Sequence, residues 1–137
     1  MTPVFLDTNI FLRHLLNDDP IRSPRAFALI QDIERRRKQG WTSELVIAEL
    51  VWVLSSKQGY SVPRERIRSL LLPLISLPGL KVPRKRLYPR AFDLYVTLPI
   101  DYIDAYHAAL LEQRGEPALY SYDTDFDEVQ GLTRREP

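Results

Sequence analysis

At 137 residues, with 45% hydrophobic and 27% charged side chains, the chain suits a single globular domain spanning 1–137 and is excluded from the disordered class. Nineteen basic residues against eighteen acidic leave a net charge of +1, too little for general coating of nucleic acid. The absence of cysteine excludes disulfides and thiolate metal sites and makes a reducing cytoplasm the expected location.

The start, Met1-Thr2-Pro3, has no basic segment leading into an apolar one. No apolar run approaches the roughly 20 residues of a bilayer span, so neither export nor membrane insertion is expected. Val4-Phe5-Leu6 then runs straight into Asp7-Thr8-Asn9. A short apolar run ending at a polar edge predicts a buried parallel-type strand, and ligands of open α/β sheets collect beyond the carboxyl ends of such strands. Asp7 occupies that spot, although Asp7 or Thr8 could equally cap the helix predicted over Ile10–Asn17.

Asp18-Asp19-Pro20 breaks that helix, and the next is predicted from Ser23 to about Lys38, with Ala26, Leu29, Ile30 and Ile33 as its buried stripe. Its basic end, Arg35 to Lys38, reads first as a solvated face complementing the helix dipole and second as a phosphate contact. Gly40 is expected to end it, followed by a strand at Trp41-Thr42-Ser43. Glu44–Ser56 is apolar nearly all round, which predicts a buried helix. Glu49 would then be a carboxylate among apolar groups, and a buried charge must be paired, neutralised or metal-bound.

A further helix opens near Ser61 and is expected to kink or end at Pro73. A third strand follows near Leu80–Val82, and then a helix from Pro89 to Val96. Arg84, Lys85, Arg86 and Arg90 stand at its entrance, against the dipole rule, which favours an anionic partner there. In the next helix Asp101 is placed as N-cap and Asp104 near N3, on one face of the first turn. Capping accounts for Asp101. Ala105, Ala108 and Ala109 draw Asp104 toward the interior, while His107 reads as a hydrogen-bonded structural residue. Ala118–Tyr122 repeats the opening pattern, an apolar strand running into Asp123-Thr124-Asp125, and Leu132 begins a last edge strand.

Helices between successive strands argue for an α/β fold, a three-layer α/β/α sandwich around a mainly parallel central sheet. In one such sheet Asp7 and Asp123 share a rim that Asp104 and Glu49 can reach.

With these residues in view, the chain resembles a PIN domain, specifically the VapC-type ribonuclease toxins of toxin–antitoxin pairs. The resemblance rests on Val4 to Asn9, on Ala48-Glu49-Leu50 with Trp52-Val53-Leu54, on Asp104-Ala105 with His107-Ala108-Ala109, and on Ser121 to Phe126. It implies that Asp7, Glu49, Asp104 and Asp123 form an acidic site for one or two Mg²⁺ or Mn²⁺ ions, with Asn9, Asp101 and Asp125 as auxiliaries. Asp101 stands one turn from Asp104, and either can lead the site. The implied activity is hydrolysis of RNA phosphodiesters, leaving a 5′-phosphate and a 3′-hydroxyl. The implied partners are RNA, a small cognate antitoxin and a second copy of the chain in a homodimer.

An acid-lined cleft needs cations around it to hold RNA, and Arg35, Arg36, Arg84 and Arg86 are the candidates, with Arg134 and Arg135 behind them. Two rivals differ in kind. A phosphatase of the haloacid dehalogenase type also opens with a strand ending in Asp but needs a second acid two residues on, where this chain has Asn9. A non-catalytic RNA- or protein-binding module of the same fold would lack metal-dependent cleavage.

Overall fold

Three short strands, β1 (Val4–Phe5), β2 (Gly40–Trp41) and β3 (Leu80–Lys81), run parallel and pair in that order. Parallel neighbours need a crossover. It is supplied by helices α1 (Thr8–Leu16) and α2 (Arg22–Glu34) before β2, and by α3 (Glu44–Ser55) and α4 (Arg64–Ile75) before β3. The computed structural model describes every residue from Met1 to Pro137 and divides into two units, Met1–Lys85 and Arg86–Pro137, each taken here by itself. A parallel sheet flanked by helices is the α/β class that the alternation of elements predicts.

In the first unit the sheet is tied down just ahead of Asp7. Thr42, fully buried, donates its hydroxyl to the Leu6 carbonyl at 2.9 Å, and the Leu6 N–H donates to the Trp41 carbonyl. Gly40 belongs to β2 and does not end a helix. A Cβ there would stand 2.5 Å from Leu6 Cδ1 and 3.0 Å from Ile33 Cδ1, so its bareness lets α2 lie against the sheet. The helix itself stops at Glu34, four residues short of expectation. Arg36 takes a left-handed φ of 61°, and the N–H groups of Arg37 and Lys38 both turn back to the Asp32 carbonyl. The basic run is therefore a turn folded onto Asp32, whose carboxylate also lies 3.6 Å from Lys38 Nζ.

Two expectations of burial fail here. In the opening strand only Leu6 is buried, while Val4 is 67% and Phe5 42% exposed, because β1 is two residues long and lies at the edge of its sheet. Likewise α3 buries Val46, Ile47, Leu50, Val51 and Leu54 but leaves Leu45 81% and Trp52 70% exposed. The helix is one-sided despite its composition. Pro73 does not stop α4, which runs on to Ile75 with Pro73 on its exposed side.

The second unit holds α5 (Tyr88–Thr97), α6 (Tyr102–Arg114), β4 (Ala118–Tyr120) and β5 (Thr133–Arg135), with short 3-10 turns at Lys85–Leu87 and Thr124–Glu128. Ala105, Ala108 and Ala109 are no more than 1% exposed, and their small size lets α6 approach α5 closely. Phe92, Tyr95 and Tyr102 fill the joint with ring centroids 5.4 to 6.4 Å apart. β4 and β5 pair in parallel as a separate two-stranded sheet, so no common hydrogen-bonded sheet carries both Asp7 and Asp123.

Candidate functional site

Asp7 is the N-cap of α1, yet its side chain accepts no capping hydrogen bond. The capping alternative for this acid is thereby removed, and an exposed carboxylate is left just past the end of β1 with Asn9, also exposed, in the first turn. Glu49 lies midway along α3 and is exposed. That corrects the expectation of a buried charge: Glu49 falls on the outer face of the helix, with Leu45 and Trp52 about one turn to either side. Both acids belong to the first unit.

In the second unit, the carboxylates of Asp101, Asp104 and Asp125 each place an oxygen within 4.8 Å of the others. Local structure explains the convergence. Asp101 is the N-cap of α6 and, like Asp7, makes no capping hydrogen bond, while Asp104 follows in the same turn. Past β4 the chain bends sharply: Ser121 Oγ accepts the Asp123 N–H, and the Asp123 carboxylate accepts the Asp125 N–H at 2.9 Å. Buried Phe126 and Val129 anchor this 3-10 turn and fix where its acids stand.

Asp123 takes part as well. The Asp104 carboxyl is pushed up to about 7, first by burial, then by the charge of Asp123, and further by hydrogen bonds with Asp123 and Asp125. At neutral pH the Asp104 carboxyl is thus shared between its protonated and ionised forms. The negative charge assembled here opposes ionisation of Asp104 even though α6 directs its positive end toward it. Carboxylate oxygens are hard donors, and four of them suit Mg²⁺ or Mn²⁺ rather than a soft metal. The residues present therefore fit the ion implied by the sequence.

The basic candidates divide. Arg35, Arg36 and Arg86 are exposed, whereas Arg84 is joined to Glu44 by Nη1 at 2.8 Å. Lys85 is turned inward, donating to the Leu77 and Leu80 carbonyls, and burial lowers its pKa. Arg90 explains the basic entrance to α5 without any anion from outside: Nε and Nη2 grip the Glu112 carboxylate at 2.9 and 3.0 Å, and Nη1 reaches Asp93 at 2.8 Å. Arg134 is held by Asp127, Glu136 and the Ser121 carbonyl, which removes it from the RNA-binding candidates. His107 is exposed, with its ring beside that of Tyr106.

The model of the PIN domain family matches residues 4–132, nearly the whole chain. The chain belongs to the PIN domain family. Among solved structures it is similar to Mycobacterium tuberculosis VapC20, described as a sarcin-ricin loop cleaving toxin, at 20% identity over 90% of this chain and 92% of that one, with a TM-score of 0.40. No curated protein matches it. No helix of this PIN domain is long and apolar enough to cross a membrane.

Reading the sequence of this PIN domain ranked Asp101 and Asp125 as auxiliaries, whereas both belong to the acid cluster itself. The signal was present: an N-cap acid three residues before Asp104 and a second acid two residues after Asp123.

Proposed function

We propose that this PIN domain is a divalent-metal-dependent endoribonuclease and the toxin of a VapC-type toxin–antitoxin pair, acting as one domain over residues 1–137 in the cytoplasm. The observation that carries the reading is the joint placement of Asp101, Asp104, Asp123 and Asp125, with the Asp104 carboxyl held near neutrality. The proposal counts Asp7 and Glu49 as further members of the acidic set, and their exposure without a capping or packing role supports a functional one.

In this reading Asp7 and Asp104 would be the direct holders of one or two Mg²⁺ or Mn²⁺ ions, and Glu49 and Asp123 would complete the set of ligands. The bound ion supplies Lewis acidity for the scissile phosphate and a lowered pKa for attacking water. The chain's own groups do the remaining work. Asp104 would give up its proton on loading, Glu49 or Asp123 would accept a hydrogen bond from the attacking water and aim it in line, and Asn9 and Asp125 would hold the carboxylates in place. Hydrolysis then leaves a 5′-phosphate and a 3′-hydroxyl. Exposed Arg35, Arg36 and Arg86, with Arg84 in reserve beside Glu44, bind RNA phosphates.

Partners follow from the same reading. Leu45 and Trp52 flank Glu49 as an exposed apolar stripe, which supports a protein partner on this face, either the cognate antitoxin or a second copy of the chain. The deciding experiment is Asp7→Asn in purified protein. Folding and RNA binding are retained and Mg²⁺-dependent cleavage disappears; a fully active variant overturns the assignment.

A further inference from the structure

Helices α1 and α2 of the first unit enclose an open cleft of about 580 Å³, lined at its rim by Asn9, Arg13, Arg22 and Arg25 and along its floor by Ile10 and Leu29. Three arginines around one cleft repel one another, and the acids nearby only partly offset this. Arg13 is tied to Asp18 through Nη1 at 3.0 Å, while its buried Nε has no partner. Arg22 lies 4.0 Å from Asp19 and is largely exposed. Asp19 is itself occupied, accepting the N–H groups of Ile21 and Arg22. Arg25 is exposed, and no acid of the chain reaches it.

The geometry points to this cleft as the seat of a backbone phosphate of the RNA strand. The inference rests on the proposed ribonuclease activity and adds to it a phosphate seat between α1 and α2. Guanidinium groups suit phosphate because their planar N–H edges meet two oxygens at once. The rim is cationic and the floor apolar, so a nucleotide can set its phosphate on Arg22 and Arg25 and its sugar or base over Ile10 and Leu29. Asn9 on the same rim is two residues from Asp7, which makes the cleft continuous along the chain with the start of α1.

The test uses the full chain with metal chelated, so that binding is read without cleavage, and a short single-stranded RNA of mixed sequence. R22Q/R25Q is compared with K57Q/R66Q, which removes the same charge from exposed positions outside the cleft. The cleft variant is expected to bind about tenfold more weakly and to lose about 0.7 from the slope of log affinity against log salt, the share of one phosphate contact on a single strand. The control is expected to keep the parent's slope. In Mg²⁺ the cleft variant raises KM and spares kcat. Equal losses in the two variants, or parental affinity in R22Q/R25Q, overturn the inference; the latter leaves the cleft to an acidic peptide. Cleft-dependent RNA binding by a chain that never cleaves RNA overturns the nuclease reading and upholds the cleft.

Discussion

The carboxylates of Asp104 and Asp125 place oxygens within 4.8 Å of one another, although the first opens α6 and the second lies in the turn after β4. Two carboxylates in contact can be held together by a proton or by a cation, and the two compete for the same oxygens.

Uptake of Mg²⁺ or Mn²⁺ should therefore release a proton near neutrality. With Asp104 at about 7, a large fraction of the protein carries that proton at pH 6.5 and little does at pH 8.5. Titration calorimetry in buffers of differing ionisation enthalpy should report a proton released per site at the lower pH and almost none at the higher, with affinity rising in between. Asp104→Asn should abolish the release. Metal binding with the same affinity and no proton release at pH 6.5 would show that the ion sits elsewhere.

The same displacement sets the pH dependence of the metal-free protein. The folded-state value of Asp104 lies above its ordinary 3.8, so folding is favoured where the carboxyl is protonated. That contribution is fully present below about 4 and is lost as pH rises through about 7. For a half-exposed group it amounts to on the order of 1 kcal/mol after solvent screening. With chelator present, the melting temperature should fall between pH 5.5 and pH 8 through this group, and Asp104→Asn should remove that part of the fall. Added Mg²⁺ should restore stability at pH 8. An Asp104→Asn protein with the parent's pH profile would contradict the assignment.

Glu49 separates what the sequence could tell from what it could not. Its place in α3 was legible from the apolar pattern, and so was the helix; its exposure was not, because a stretch apolar on every side carries no sign of which side meets solvent. The opening strand misled in the same way, since Val4 and Phe5 are as apolar as buried residues yet sit on a two-residue edge strand. Asp101, Asp104, Asp123 and Asp125 were all legible as acids beside turns, because caps and turns are local. Their grouping came only with the family resemblance, since nothing local in the sequence shows how Phe126 anchors the turn after β4. Exposure now gives Glu49 a clean test. Glu49→Gln should leave stability within about 0.5 kcal/mol, as for other surface changes, while lowering cleavage by at least about 100-fold. Melting curves alongside cleavage rates check both, and a large loss of stability would make Glu49 structural instead.

Arg134 is the reverse case, a candidate for RNA whose side chain is already engaged. It is 17% exposed, its Nε and Nη2 meet both oxygens of Asp127 at 2.9 and 3.2 Å, and Nη1 reaches Glu136 and the Ser121 carbonyl. Those bonds raise its pKa further and join β5 to the turn that carries Asp123 and Asp125. A guanidinium that meets both oxygens of one carboxylate has better geometry than the usual surface pair, so Arg134→Gln should lower the melting temperature. The loss should appear first as faster hydrogen exchange in β4 and β5, where opening frees the terminal strand. Cleavage should fall with it through misplacement of the acids, while the salt dependence of RNA binding stays at the parental slope. A reduced slope with unchanged exchange would return Arg134 to the RNA-binding surface.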